Sequence, residues 1–194
     1  MLSEKNLEDT MRIAGTVSNM YRANSHGGSE LSTALNDFSK EAGSVNWALI
    51  GGLAVGFHSK PRGTQDIDLI VLNENDINKL QSNLSSFKKN RSHSFEHIKT
   101  GVEIKILTAQ FLGINEQIVS QALESSENQS LQGNQIPVVN KSGLIALKLQ
   151  RGSRQDLADV EAILKQDTNV DVSNYPLTEE QVKILKEIQK EINK

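Results

Sequence analysis

The sequence predicts an α/β (α+β) fold, a small β-sheet with helices before and after it, and three observations carry that prediction. Residues 47–72 read as strand, glycine turn, helix, loop and acidic strand. Residues 94–107 alternate like a hairpin, and both flanks repeat their apolar residues at helical spacing.

A chain of 194 residues suits one sizeable domain, or a core with a helical appendage. Three regions are expected: N-terminal helices at 1–43, the sheet-bearing core at 44–139 and a helical region at 140–194 packed on that core. Hydrophobic residues make up 37% and charged residues 23%, the balance of an ordinary soluble globular protein. The net charge of −3 provides no global basic field, so any polynucleotide would rely on local patches. There is no cysteine, which excludes disulfides, thiolate metal sites and thiol nucleophiles. The N-terminus lacks an apolar signal core and no run is long enough to span a bilayer, so a cytoplasmic location without membrane attachment is expected.

Taken in order, Leu7, Met11, Ala14, Val17 and Met20 define an amphipathic helix over 3–24. A loop follows at 25–29, in which Gly27-Gly28 has no preceding strand and reads as a turn. Leu31, Leu35 and Phe38 mark a second helix over 30–41, with Gly43 as its stop. The apolar run Trp47-Ala48-Leu49-Ile50 is a buried strand, Gly51-Gly52 a turn and 53–58 a helix; a basic loop at 60–64 leads to the strand 66–72. Ile77, Leu80, Leu84 and Phe87 continue as a helix whose end carries Lys88, Lys89 and Arg91, either a solvated terminus or an RNA contact. In the second hairpin arm Val102, Ile104 and Ile106 share one face, Glu103 and Lys105 the other. Residues 108–133 read as a short helix and a long polar surface loop, and 135–139 as a short strand that Pro137 assigns to a sheet edge. Two helices flank Gly152-Ser153. Thr178-Glu179-Glu180-Gln181 caps a last one, whose stripe of Val182, Leu185, Ile188 and Ile192 suits core packing or a partner interface.

Chemistry concentrates in residues 51–68. On an extended strand Asp66 and Asp68 project from one side, and two carboxylates so placed call for a shared proton or a divalent cation. Mg²⁺ is the natural ion, being hard and typically held by one or two carboxylates together with substrate phosphates. Gly51-Gly52 lets a ligand approach the backbone, and the helix behind it offers N–H groups to phosphate. Taken singly, a Gly-Gly pair is a tight turn and an Asp-x-Asp a solvated strand edge. The joint pattern is what points to a site.

The ordered set Gly51, Gly52, His58, Arg62, Thr64, Asp66 and Asp68 resembles the nucleotidyltransferase superfamily with the polymerase-β-like fold, above all its minimal, bacterial AbiEii-like branch, some of whose members are toxins of toxin–antitoxin systems. The resemblance implies a small mixed sheet, and a nucleoside triphosphate with its Mg²⁺ or Mn²⁺ ions held by the glycine turn and the two aspartates. Arg62 and Thr64 would join the nucleotide site. The third metal-binding carboxylate of the family falls on Glu103, where Asp is more usual; the longer side chain alters reach, and Glu103 also suits a cross-strand partner to a basic residue. Lys148, Arg154, Asp156 and Asp159 resemble the Lys and charged R-x-x-D-x-x-D pattern of these enzymes, with a shorter interval from Arg154 to Asp156. By that likeness Lys148 would reach the triphosphate, whereas Asp156 also fits the first turn of a helix without any chemistry. The implied activity is transfer of a nucleoside monophosphate to an acceptor hydroxyl with release of pyrophosphate, Asp66, Asp68 and Glu103 being the catalytic carboxylates. Toxin relatives imply tRNA or another RNA as acceptor and a cognate antitoxin as partner, while a protein side chain or a small molecule such as an aminoglycoside uses the same chemistry. The alternative is a catalytically inactive member that binds nucleotide or a partner protein.

Overall fold

The computed structural model describes residues 28–60, 63–64, 66–131 and 133–194. The helix expected at 3–24 and Arg62 lie outside them. Helix α1 (Gly28–Glu41) begins two residues earlier than the sequence suggested, and the chain turns at Gly43 into β1 (Trp47–Ile50), all four residues of which are buried. β1 runs directly into α2 (Gly51–His58), so Gly51-Gly52 opens the helix instead of forming a separate turn. The acidic strand β2 (Asp66–Val71) follows, then α3 (Glu74–Asn83), capped by the Asn73 side chain.

Three further strands, β3 (Phe87–Arg91), β4 (Ser94–His97) and β5 (Glu103–Leu107), precede the short α4 (Ala109–Leu112) and α5 (Glu116–Glu124). The hairpin β6 (Glu127–Leu131) and β7 (Asn134–Val138) leads to α6 (Lys141–Arg151), α7 (Arg154–Leu164) and α8 (Glu179–Ile192). The strands form one mixed sheet in the order β3-β4-β5-β2-β1-β7-β6, in which β2 runs parallel to β5 and antiparallel to β1.

Register sorts the side chains. Trp47, Leu49, Ile67, Leu69, Ile104 and Ile106 occupy paired positions on one face and are buried. Phe38 of α1 closes that face, edge-on to Trp47 at 5.0 Å and to Phe87 at 6.0 Å between ring centroids. The opposite face carries Asp66, Asp68, Glu103 and Lys105, only partly covered.

Three sequence expectations are corrected. The helix after Asn73 stops at Asn83, and Lys88, Lys89 and Arg91 lie on edge strand β3, which pairs with β4. Local periodicity favoured helix there, but a cross-strand partner nearby in the chain won. Residues 120–131 are not one long loop: α5 continues to Glu124, burying Ile118, Val119, Ala122 and Leu123, and polar β6 pairs along its length with β7. An edge strand facing water has no need of apolar alternation, which is why it was invisible. β7 is therefore not an edge strand. Pro137 is tolerated because β7 registers with β1 only at Leu49 and Val138, beyond the residue that lacks an N–H.

Candidate active site

The site forms where β1 ends and β2 and β5 begin. Ile50 pairs with Asp68, Asp66 with Glu103 and Asp68 with Lys105, so three carboxylates and one ammonium share one face of neighbouring strands. Gly51 has a φ of +68°, and a Cβ built on it would lie 2.1 Å from Asp68 Oδ2 and 2.8 Å from Asp68 Cγ. Only a residue with no side chain lets the start of α2 lie this close to that carboxylate. Gly52 is buried in the same first turn.

Burial first, then the adjacent charge of Asp66, raises the Asp68 carboxyl above its ordinary range; Lys105, Arg151 and Lys148 pull the other way. Asp66 is held from two sides. Lys105 Nζ donates to its Oδ2, and the buried Thr64 hydroxyl lies 3.2 Å from its carbonyl oxygen and 3.4 Å from its Oδ1. Thr64, expected at the nucleotide, thus orients the first aspartate in this structure. Glu103 accepts a hydrogen bond from the Ser94 hydroxyl, across the β4–β5 ladder. The hydrogen bond to Asp66 first, and then the charges of Asp66, Asp68 and Glu103, hold the Lys105 ammonium above its usual range, against partial burial that lowers it.

Lys105 is the residue that the sequence reading missed. Its spacing from Glu103 placed both on one face, but only the parallel register of β5 on β2 puts it opposite Asp68. Lys148 is buried, with Nζ 2.6 Å from Asp159 Oδ2 and 3.4 Å from Asp156 Oδ1. Asp156 also closes the capping box of α7 with Ser153, and Gln155 donates to Asp159 at 3.0 Å. The charged pattern on these helices therefore joins α6 to α7 internally, and Lys148 reaches Asp68 only through its field. Arg151, at the end of α6 and half exposed, adds a second such field. His58 has Nε2 2.7 Å from the Val139 carbonyl oxygen, tying the end of α2 to the exit of β7. His97 is buried between Asp37 and Thr100 against the Phe87 ring, a structural position.

Among the described residues no three His, Asp or Glu side chains gather closely enough to hold a metal ion. The donor chemistry nonetheless suits a hard divalent cation. Asp66 and Asp68 supply carboxylate oxygens from one strand face, Glu103 stands in register with Asp66, and this cluster already draws in a cation, the Lys105 ammonium. No helix among the described residues is long and apolar enough to cross a membrane.

No family model and no curated protein sequence matches this chain. Among solved structures it is similar to an antigenic nucleotidyltransferase-like protein from Paracoccidioides brasiliensis, with a TM-score of 0.59 and 17% identity over 84% of this chain and 88% of that one. At this identity the likeness establishes the fold, a mixed α/β nucleotidyltransferase-like architecture.

Proposed function

We propose that this chain is a divalent-metal-dependent nucleotidyltransferase, which moves a nucleoside monophosphate from a nucleoside triphosphate to an acceptor hydroxyl. The observation that carries this reading is the Gly51–Asp68 apposition: a backbone with room for no side chain, at a helix start, against one of two same-face aspartates. Gly51 and Gly52 would receive the phosphates on α2 N–H groups, with the fields of Lys148 and Arg151 steadying their charge; the family resemblance assigns Arg62 to the same nucleotide. Thr64 would act through Asp66, which it orients.

Asp66 and Asp68, with Glu103 in register, would hold Mg²⁺ or Mn²⁺, which when bound neutralises charge on the phosphates and makes the acceptor oxygen a better nucleophile. In the transfer itself the acceptor oxygen bonds to the α-phosphorus, the bond to pyrophosphate breaks, and the hydroxyl proton passes to a carboxylate, Asp68 or Glu103. We favour tRNA or another RNA as acceptor over a protein side chain or an aminoglycoside. A toxin role with a cognate antitoxin extends the same reading, as does a cytoplasmic location.

A specific observation favours a second reading, a nucleotide- or partner-binding protein without turnover: Lys105 occupies an Asp66 oxygen and Ser94 a Glu103 oxygen. One experiment separates the two. The protein is incubated with Mg²⁺ or Mn²⁺ and each α-³²P-labelled nucleoside triphosphate, with and without total tRNA, alongside Asp66→Ala/Asp68→Ala. Transfer of label that the double variant abolishes supports the enzyme. Aspartate-dependent nucleotide binding without transfer to any acceptor supports the nucleotide-binding protein, and absence of nucleotide binding overturns both the enzyme and the nucleotide-binding reading.

A further inference from the structure

Beside the carboxylate cluster, on the side away from Gly51, a cavity of about 160 Å³ opens between β4, β5 and α4. Arg91, His93, Glu103, Lys105, Leu107 and Phe111 line it. Glu103 and Lys105 are the register partners of Asp66 and Asp68, so the cavity shares a wall with the candidate active site. Phe111 is 56% exposed, one of two large apolar side chains so exposed among the described residues. Its ring sits against His93, centroids 4.4 Å apart and planes at 46°. His93 is fixed at both nitrogens, Nε2 2.8 Å from Glu74 Oε1 and Nδ1 3.2 Å from Ser92 Oγ. The result is a held aromatic corner whose open surface is the Phe111 ring.

We propose that this corner binds a nucleobase of the acceptor, stacked on Phe111 with the flanking phosphate on Arg91. The proposal rests on the nucleotidyl-transfer reading for direction: if phosphates of the donor lie on the Gly51 side of Asp68, the acceptor approaches from the Glu103 side. The chemistry of the lining then selects its class. A flat π-face stacks on an exposed phenyl ring whatever the base. Of the cations in the lining Lys105 is shared with Asp66, and the acid Glu103 is engaged by Ser94, so the charge the lining offers a flanking phosphodiester is that of Arg91. Arg91 ends edge strand β3 and makes no ion pair among the described residues, whereas Lys88 pairs with Glu96 and exposed Lys89 donates to Gln81. Continuing chain can therefore leave the cavity past Arg91 toward Lys89.

The test uses the full chain in EDTA without nucleotide and a fluorescein-labelled single-stranded RNA 12-mer, read by anisotropy. Phe111→Ala is expected to weaken binding by about 5- to 150-fold and Phe111→Trp to preserve it. Arg91→Ala is expected to weaken binding and flatten the dependence of log K on log salt by about one. Both residues are exposed, and melting curves check that the variants fold. Wild-type protein that ignores the oligonucleotide, variants that bind it like wild type, or preferential binding of a polyamino sugar that Phe111→Ala abolishes would each overturn the proposal. Failure of the transfer reading shows separately, as no Asp66- and Asp68-dependent transfer of label by the wild-type protein to any acceptor, whatever the anisotropy reads.

Discussion

Replacing Gly51 by alanine tests the close approach on which the proposed chemistry depends. The substitution acts twice. A φ of +68° costs an L side chain roughly 1–2 kcal/mol. The new Cβ would also stand 2.1 Å from Asp68 Oδ2, about 1.3 Å inside the 3.4 Å of ordinary contact, so the Asp68 carboxylate must swing or the turn must shift. Overpacking of this kind typically costs a further 1–3 kcal/mol. Gly101 supplies the control, for its φ is +72° and an added Cβ meets nothing within 4 Å. Gly101→Ala therefore isolates the backbone term, and urea unfolding is expected to place Gly51→Ala about 1–3 kcal/mol below it. A displacement near 1 Å at a reacting group costs on the order of a hundredfold in rate, so label transfer falls by about that factor in Gly51→Ala and is unchanged in Gly101→Ala. Equal stability of the two variants would refute the steric argument, and full transfer by Gly51→Ala would refute the role given to the apposition.

Asp68→Asn, measured in EDTA, is expected to melt above wild type at pH 7. Burial and Asp66 raise the folded carboxyl above its unfolded value of 3.8, so the stability it contributes is present below that pH and lost as pH rises through the folded value. The gap should close below about pH 4, and a gap that persists or widens there contradicts the assignment. Lys105→Met removes the internal cation: Mn²⁺ titrated by electron paramagnetic resonance should bind several-fold more tightly, while stability in EDTA drops by about 0.2–1 kcal/mol, the range for a pair whose lysine is 39% exposed. Unchanged Mn²⁺ affinity would mean that Lys105 does not compete for this site. Lys148→Met removes the buried cation that Asp156 and Asp159 share, leaving Asp156 only the half-exposed Arg151 at 3.6 Å, and is expected to cost about 3–5 kcal/mol in urea unfolding. A loss under 1 kcal/mol would show that the three side chains do not hold α6 to α7.

The features legible in the residues alone are those that short-range physics sets. The period-two pattern of residues 66–71 put Asp66 and Asp68 on one face, Gly152-Ser153 parted two helices, and the Thr178 capping box began the last one, because alternation, left-handed glycine turns and caps act within four residues. The polar strand β6 escaped notice, since its partner β7 and exposure to water, not its own residues, make it a strand. The composition of the site was also a tertiary matter. That Glu103 stands against Asp66 and Lys105 against Asp68 follows from a parallel register between strands some 37 residues apart, and no local pattern encodes register at that distance. The same holds for Lys148, whose partners lie on the next helix and turn it inward, and for Phe111 and His93, drawn together from either side of β5. Local sequence chose the side chains and their faces; the pairing of distant strands and helices, which requires the whole core to close, decided which charges meet.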